Sequence, residues 1–248
     1  MSYMKKPYFE NPKTKGSGII CAIPQEGKCP VGCKDCFFQS GRSYLEPLSD
    51  NLPNMPSIEM AKNRVVRIND GNDSNIDKEA VIKATQIYPN KFYNTSIPDL
   101  RLFDAPVVLT INPGNITDTD FNVVTQIPKN LMFVRIRVNT WNLDKVVWPA
   151  THLYTSKGVP VVFTFMAYYN EMVPAEHKSN YDFRKRTLNS YWCIRPEAWK
   201  RIMDMYKNNK LVYSCGANYT GTISCKNCGN CLREYFATKE RMNRKEIL

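Results

Sequence analysis

The chain has 248 residues, of which 43% are hydrophobic, so it is long enough to bury a substantial core and is not a disordered tail. Its most apolar run, at 159–169, is well short of the roughly 20 residues that a membrane span needs, and residues 1–15 lack the pattern of a secretory signal. We therefore expect a cytoplasmic protein with no membrane partner. The formal net charge of +11 indicates an anionic partner or simply a basic surface.

Apolar runs bounded by turn residues predict six strands, at 17–23, 64–68, 106–111, 131–138, 159–167 and 211–214. Helical periodicity between these runs predicts helices at 75–88, 118–127, 143–156 and 196–208. Near-continuous apolar strands that alternate with helices are typical of a parallel sheet covered by helices, so the predicted fold class is α/β. Residues 168–195 lack this pattern, and we expect a long irregular lid or binding loop there.

Nine cysteines lie in two groups, with none between Cys36 and Cys193. In a chain that is not secreted, close spacing of this kind favours metal or cluster ligation over disulfides. The strand–helix rhythm ends at residue 214, so most of the second group falls in a different segment. We therefore predict a core domain at 1–214 and a small cysteine-rich extension with a charged terminal helix at 215–248.

The first group contains Cys29, Cys33 and Cys36 with the spacing C-x3-C-x2-C, in the loop after the first predicted strand. Three thiolates on a short loop can hold three irons of a 4Fe-4S cluster and leave the fourth iron without a protein ligand. A zinc site with some other fourth ligand is the structural alternative, but neither histidine of the chain is near in sequence.

This motif and the strand–helix units that follow it resemble the radical S-adenosylmethionine (SAM) superfamily. The resemblance implies a partial (β/α)6 barrel in which the open iron of the cluster binds the amino and carboxylate groups of SAM. It also implies reductive cleavage of SAM to a 5′-deoxyadenosyl radical that abstracts hydrogen from a substrate, with electrons from a reductant protein such as flavodoxin or ferredoxin. It assigns no substrate and no further catalytic residue.

The same resemblance implies polar SAM contacts at the ends of the later strands. Asp70 and Asp73 lie in the turn after the second predicted strand, where they would hold the amino group in place of the family's usual Gly-Gly-Glu. Arg137 and Asn139, at the end of the fourth predicted strand, would meet the ribose and carboxylate. Asn112, after the third, would contact SAM or substrate. The turn at 69–73 would equally suit a solvated helix cap, because turns prefer Asn, Asp and Gly.

The second group contains a C-x2-C-x2-C motif and one cysteine just after the last predicted strand: Cys225, Cys228, Cys231 and Cys215. Four cysteines complete the ligand set of either a second 4Fe-4S cluster or a structural zinc. The segment is similar to the auxiliary-cluster extensions of several radical SAM subfamilies, although those carry more cysteines. Cys21 and Cys193 remain, and we expect both to be core residues.

Basic residues are concentrated at 178–210, which has nine Lys or Arg against three Asp or Glu. Aromatic residues are interleaved with them in 168–195, a composition that suits base stacking and phosphate contacts. The expected partner is an anionic substrate such as a nucleic acid, a nucleotide or an acidic peptide, although a solvated basic face has the same composition. The alternative function is a non-catalytic nucleic-acid-binding protein that carries zinc or an iron–sulfur cluster.

Overall fold

The computed structural model describes residues 6–33, 36, 38, 43–115, 126–169, 172–186, 190–215 and 225–244. Its strands are β1 (Ile19–Ala22), β2 (Val65–Ile68), β3 (Lys91–Thr95), β4 (Val107–Ile111), β5 (Leu131–Val138), β6 (Val161–Phe165), β7 (Tyr168–Tyr169), β8 (Tyr181–Arg184), β9 (Tyr191–Ile194) and β10 (Val212–Ser214). Its α-helices are α1 (Leu48–Asn51), α2 (Ile58–Ala61), α3 (Lys78–Thr85), α4 (Trp148–Ser156), α5 (Pro196–Asp204), α6 (Cys225–Cys228) and α7 (Asn230–Asn243). There are also short 3-10 helices at Pro113–Asn115 and Ala175–Asn180 and a π-helical turn at Leu143–Val147.

Seven strands form one parallel sheet in the order β1-β2-β3-β4-β5-β6-β10, which is the order in which they occur in the chain. Because parallel crossovers are right-handed, successive crossovers in one direction put their helices on the same face of the sheet. That face, which we call the outer face, packs against Val81 of α3, Tyr154 of α4 and Ile202 of α5. The predicted α/β class is confirmed. The sheet is compatible with a partial barrel, and its edge strands β1 and β10 do not pair with each other in the described ranges.

The opposite, inner face of the sheet is covered by α7, the helix that follows all the strands. Side chains alternate between the two faces of a strand, so Phe92 and Phe133 point away from the outer helices and pack with Tyr235 of α7. Further along α7, Arg241 donates a 2.6 Å hydrogen bond to the carbonyl oxygen of Leu131 at the start of β5. The helix therefore closes the inner face at the amino ends of the strands.

The helices are shorter than the periodicity predicts. Helix α3 covers eight of the fourteen residues predicted at 75–88, and α5 ends at Asp204 and not at residue 208. The helix predicted at 118–127 lies outside the described residues except for 126 and 127, which are not helical. Within the described part of the chain, no helix is both long and apolar enough to cross a membrane.

The sheet has seven strands and not the predicted six, because the sequence pattern does not reveal β3. This strand reads Lys-Phe-Tyr-Asn-Thr, and its polar residues break the apolar run that marks the other strands. In the structure, the ammonium of buried Lys91 lies 2.8 Å from the Asp104 carboxylate, to which the Tyr93 hydroxyl also donates at 2.8 Å. A neighbouring loop thus satisfies polar groups that would otherwise oppose burial.

Residues 168–195 contain a second sheet, so the prediction of an irregular loop is wrong. Its strands are antiparallel in the order β7-β9-β8, and each has only two to four residues, too few to show a periodic pattern. The backbone N–H of Thr140 donates to the Tyr181 hydroxyl at 3.1 Å, and the Trp141 ring packs 4.9 Å from that of Tyr168. These contacts fix the small sheet at the carboxyl end of β5.

Candidate metal centres

The three-cysteine loop starts at the carboxyl end of β1. Two backbone hydrogen bonds of 2.9 Å between Ile23 and Asn54 close the loop at its base. Within it, Phe38 and Leu48 belong to a separate buried apolar cluster, which gives the loop a small core of its own. This anchoring holds three cysteines near the carboxyl edge of the sheet: Cys29, Cys33 and Cys36.

Phe38, two residues after Cys36, docks the loop onto the turn after β2. Its ring covers Gly71 so closely that a Cβ atom at position 71 would lie 2.1–2.3 Å from three ring carbons. Gly71 does not have the left-handed backbone that favours glycine, so the approach of the ring is what excludes a side chain. The cysteine loop and the turn predicted to bind SAM are therefore in direct contact.

The three thiols lie in the same loop but are not close enough together to bind one metal ion. The Cys36 N–H donates to the carbonyl oxygen of Cys33 at 3.2 Å, and Cys33 Sγ lies 3.9 Å from Ser96 Oγ at the end of β3. Burial raises the pKa of Cys29 to about 11, and the charge of Asp73 adds to the shift, so this thiol is protonated at neutral pH. Among the residues described, no three Cys, His, Asp or Glu groups converge closely enough to hold a metal ion.

Asp73 joins the turn after β2 to the end of β3. Its carboxylate is 4% exposed and accepts hydrogen bonds at Oδ1 from Thr95 Oγ1 (2.6 Å) and the Asn75 N–H (2.9 Å). At Oδ2 it accepts from the N–H (2.6 Å) and hydroxyl (2.8 Å) of Ser96. The alternative of a solvated helix cap is wrong for Asp73, because its carboxylate is buried and α3 begins only at Lys78. The contact of Asp73 with SAM stays a prediction. Ser96 could not be found from the sequence, because β3, which it follows, has no continuous apolar run.

Asp70 is paired with a cation on the inner face. Its Oδ1 lies 2.5 Å from an Nη atom of Arg67, and its other oxygen accepts from the Asn11 amide. Burial opposes the charge of Arg67, but the charge of Asp70, followed by those of nearby cysteines, more than offsets this and raises the pKa of the guanidinium. Arg67 also donates to Cys21 Sγ at 3.3 Å, and Cys21 is buried in β1 as expected. The predicted SAM contact at Asp70 stays a prediction.

Three buried polar atoms at the ends of β5 and β6 have no hydrogen-bond partner among the described residues: Arg137 Nη1, Asn139 Oδ1 and Thr164 Oγ1. Arg137 and Thr164 are register partners on adjacent strands, and Asn139, which is 4% exposed, directly follows β5. Since buried polar atoms are nearly always hydrogen-bonded, this trio can take up a polar ligand. Asn112 is buried after β4, where its Oδ1 accepts the Gly114 N–H at 3.3 Å.

The second cysteine group surrounds the junction of α6 and α7. Cys225 and Cys228 lie three residues apart on α6, so they share one side of a helical turn. Gly229, with φ +68°, then breaks the helix in the left-handed conformation, and Cys231 lies in the first turn of α7. Cys215 directly follows β10, and its thiol hydrogen-bonds to Cys228. The remaining thiol belongs to Cys193, which we expected in the core. It lies on β9 and is only partly buried.

Arg135 is a cation beside this second group. It lies on the inner face of β5, where its Nη1 donates to Asn94 Oδ1 at 3.1 Å, and none of the ion pairs in the described part of the chain includes it. A hydrogen bond with Cys228 raises the pKa of Cys215, and burial raises the pKa of Cys231; the charge of Arg135 opposes both shifts, and that of Arg67 also opposes the shift of Cys231. Arg135 thus stabilises negative charge on these two thiols.

Comparison of the chain with models of protein families, with curated protein sequences and with solved structures found no match. What this protein does must therefore be inferred from the chemistry and the placement of its own residues. The functional proposal is based on the two cysteine groups, one at the carboxyl edge of the main sheet and one at its inner face.

Proposed function

We propose that this protein is a radical SAM enzyme whose cluster is held by Cys29, Cys33 and Cys36. The observation that carries the proposal is the placement of the three-cysteine loop. It follows β1 at the carboxyl edge of a parallel sheet, and Phe38 fixes it against Gly71 in the turn after β2. Ligands of α/β enzymes bind at this edge, where loops from several strands meet.

The donor set of the loop suits an iron–sulfur cluster with one open iron. Three thiolates are good iron ligands, and Asp73, whose charge reaches Cys29, already accepts four hydrogen bonds and is not a ready fourth ligand. When bound, the cluster supplies the electron that cleaves SAM, and the resulting 5′-deoxyadenosyl radical abstracts hydrogen from the substrate. The electron comes from a reductant protein such as flavodoxin or ferredoxin, in keeping with a cytoplasmic setting.

The unpartnered atoms at the ends of β5 and β6 are suited to orient SAM beside the loop. Arg137 Nη1 would donate to the SAM carboxylate, and Asn139 Oδ1 would accept from a ribose hydroxyl, each contact contributing about 1–3 kcal/mol in an enclosed site. Asp70, after β2, and Asn112, after β4, would serve as further polar contacts. Asp73 acts as a positioning residue, because it holds Ser96, whose hydroxyl contacts Cys33.

A second metal centre at the C-terminal cysteine group is part of the same proposal. Its support is Arg135, a partly buried guanidinium without an ion pair in the described ranges. A buried cation is costly unless negative charge lies beside it. Four thiolates around zinc or a 4Fe-4S cluster leave net negative charge next to Arg135, so either metal suits the site: Cys215, Cys225, Cys228 and Cys231.

The test of the enzymatic proposal is SAM cleavage by anaerobically reconstituted protein. Iron and sulfide are counted, the protein is reduced, and release of 5′-deoxyadenosine is measured. We expect Cys33→Ala to abolish release, because loss of one thiolate opens a second iron, and Cys193→Ala to serve as a matched control with full release. Full cleavage by Cys33→Ala would defeat the assignment, and zinc without SAM cleavage in the parent protein would favour the non-catalytic alternative.

The second centre is tested in protein that lacks the first one. We expect the triple variant Cys29→Ala, Cys33→Ala and Cys36→Ala to retain about four irons per chain, or one zinc if the site is structural. Adding Cys228→Ala should remove that metal and destabilise α6 and α7, since metal binding contributes folding free energy. A triple variant that contains neither metal would contradict both forms of the second centre.

A further inference from the structure

The small sheet has a high density of aromatic residues, with six among the ten residues of its three strands. Phe183 and Trp192 are register partners, so they lie on the same face, and their ring centroids are 5.0 Å apart. Phe183 is 51% exposed, which is unusual for a large apolar side chain held in a strand. The outer end of this sheet therefore offers an aromatic surface to solvent, in which the Phe183 ring is exposed and is tilted by 51° from the Trp192 ring.

Positive charge lies at the end of the strand that carries Phe183 and beside the Trp192 ring. The end of β8 carries three exposed cations in succession: Arg184, Lys185 and Arg186. The ammonium of Lys178 lies 5.6 Å from the centre of the Trp192 ring. The one acidic residue in the three strands, Asp182, is paired with Arg195 at 2.8 Å. The net charge of the surface is therefore positive, and an anionic partner is favoured over a neutral one.

The surface adjoins the edge of the main sheet that holds the candidate SAM site. Tyr181, at the start of β8, accepts from the N–H of Thr140, the residue after Asn139. The Thr140 hydroxyl also lies 3.0 Å from Nδ1 of His177, just before β8. A ligand on the small sheet would therefore be held close to the ends of β5 and β6.

We propose that Phe183, Trp192, Lys178 and the cations at 184–186 form a binding surface for single-stranded nucleic acid. Bases stack on the exposed ring of Phe183, and the cations contact backbone phosphates. An acidic peptide would use the cations but would gain little from the exposed ring, and a duplex has no free base faces to stack. Binding of single-stranded nucleic acid does not depend on the proposed enzyme function; only the idea that the bound nucleic acid is the substrate rests on that function.

The proposal is tested by fluorescence anisotropy with a fluorescein-labelled oligouridylate of twelve nucleotides and its oligothymidylate counterpart. Titrations need neither SAM nor a reductant, so their outcome is separate from that of the enzyme assay. We expect Phe183→Ala to weaken binding about tenfold through loss of stacking, with an unchanged melting temperature. Replacing all three cations at 184–186 with Gln should reduce the slope of log affinity against log salt by about 2.

A matched control removes the same charge elsewhere: Lys62→Gln, Lys83→Gln and Lys207→Gln, all at exposed positions. This control should leave affinity within about twofold of the parent protein. Equal losses in both triple variants would mean that binding follows net charge alone, and would overturn the proposal. Absence of oligonucleotide binding, or equal affinity for Phe183→Ala and parent, would overturn it as well. Competition by polyglutamate as effective as by unlabelled oligouridylate would assign the surface to acidic peptides instead.

Discussion

Gly71→Ala perturbs the contact that fixes the cysteine loop on the sheet. The added Cβ would lie 2.1–2.3 Å from the Phe38 ring, far inside van der Waals contact, and an aromatic ring cannot bend away as a flexible chain end does. The backbone of Gly71 has no left-handed strain, so the cost is that of overpacking, about 1–3 kcal/mol. For a domain of this size, that corresponds to a melting temperature lower by about 2–12 °C.

The same substitution should displace Phe38 and, with it, Cys36 two residues earlier. We therefore expect Gly71→Ala to lose iron at the first centre after anaerobic reconstitution, while the second centre keeps its metal. Thermal unfolding and metal analysis measure the two effects. Phe38→Leu in the Gly71→Ala background should restore part of the stability, with a coupling energy of about 0.5–3 kcal/mol because a shorter side chain leaves room for the methyl group. Unchanged melting and metal content in Gly71→Ala, or strictly additive costs, would refute the reasoning.

Three further predictions concern charged groups. Asp73→Asn should cost about 2–4 kcal/mol in urea unfolding, because an amide cannot accept all four hydrogen bonds that the carboxylate accepts. Arg135→Gln should speed the loss of metal from the second centre to a chelator several-fold, whereas Arg135→Lys should not; equal rates would show that its charge is irrelevant. Burial opposes ionisation of Asp104, but hydrogen bonds from Lys91 and Tyr93 outweigh this effect and lower the pKa of Asp104. Asp104 therefore stabilises the fold above about pH 4 and ceases to do so as pH falls through its lowered pKa. Asp104→Asn should cost up to about 1 kcal/mol at pH 7, and this cost should decrease as pH falls through the lowered pKa of Asp104; a cost independent of pH would contradict this.

The strands that could be predicted are those with apolar side chains on both faces. β2, β4, β5 and β6 lie between helices on the outer face and other side chains on the inner face, so each reads as an apolar run. β3 could not be found in this way because it contains Lys91. The burial of Lys91 depends on an ion pair with Asp104, which is thirteen residues further along the chain. No local sequence pattern indicates an ion-pair partner so far along the chain. The one available signal was composition, because Phe92, Tyr93 and Thr95 are residue types that strands favour.

The same limit applies to the candidate site. Spacing singled out seven of the nine cysteines as candidate ligands, and the family resemblance added the polar residues that follow β2 and β5. The sequence could not show that Asp73 is bonded to Ser96, because that contact depends on the position of β3. It also could not show Arg135 beside the C-terminal thiols, since β5 and α7 are about a hundred residues apart in the chain. The candidate chemical groups can be recognised in the sequence, but which of them are in contact depends on the tertiary fold.

The position of α7 has a consequence for how the protein matures during synthesis. All seven strands of the main sheet leave the ribosome before the helix that covers their inner face. Until then, Phe92 and Phe133 have no Tyr235 to pack against, and the sheet carries an exposed apolar side of the kind that chaperones bind. A chain in this state also lacks Cys225, Cys228 and Cys231. Burial of the inner face and arrival of the last three thiols of the C-terminal group therefore both depend on translation of the segment that contains α6 and α7.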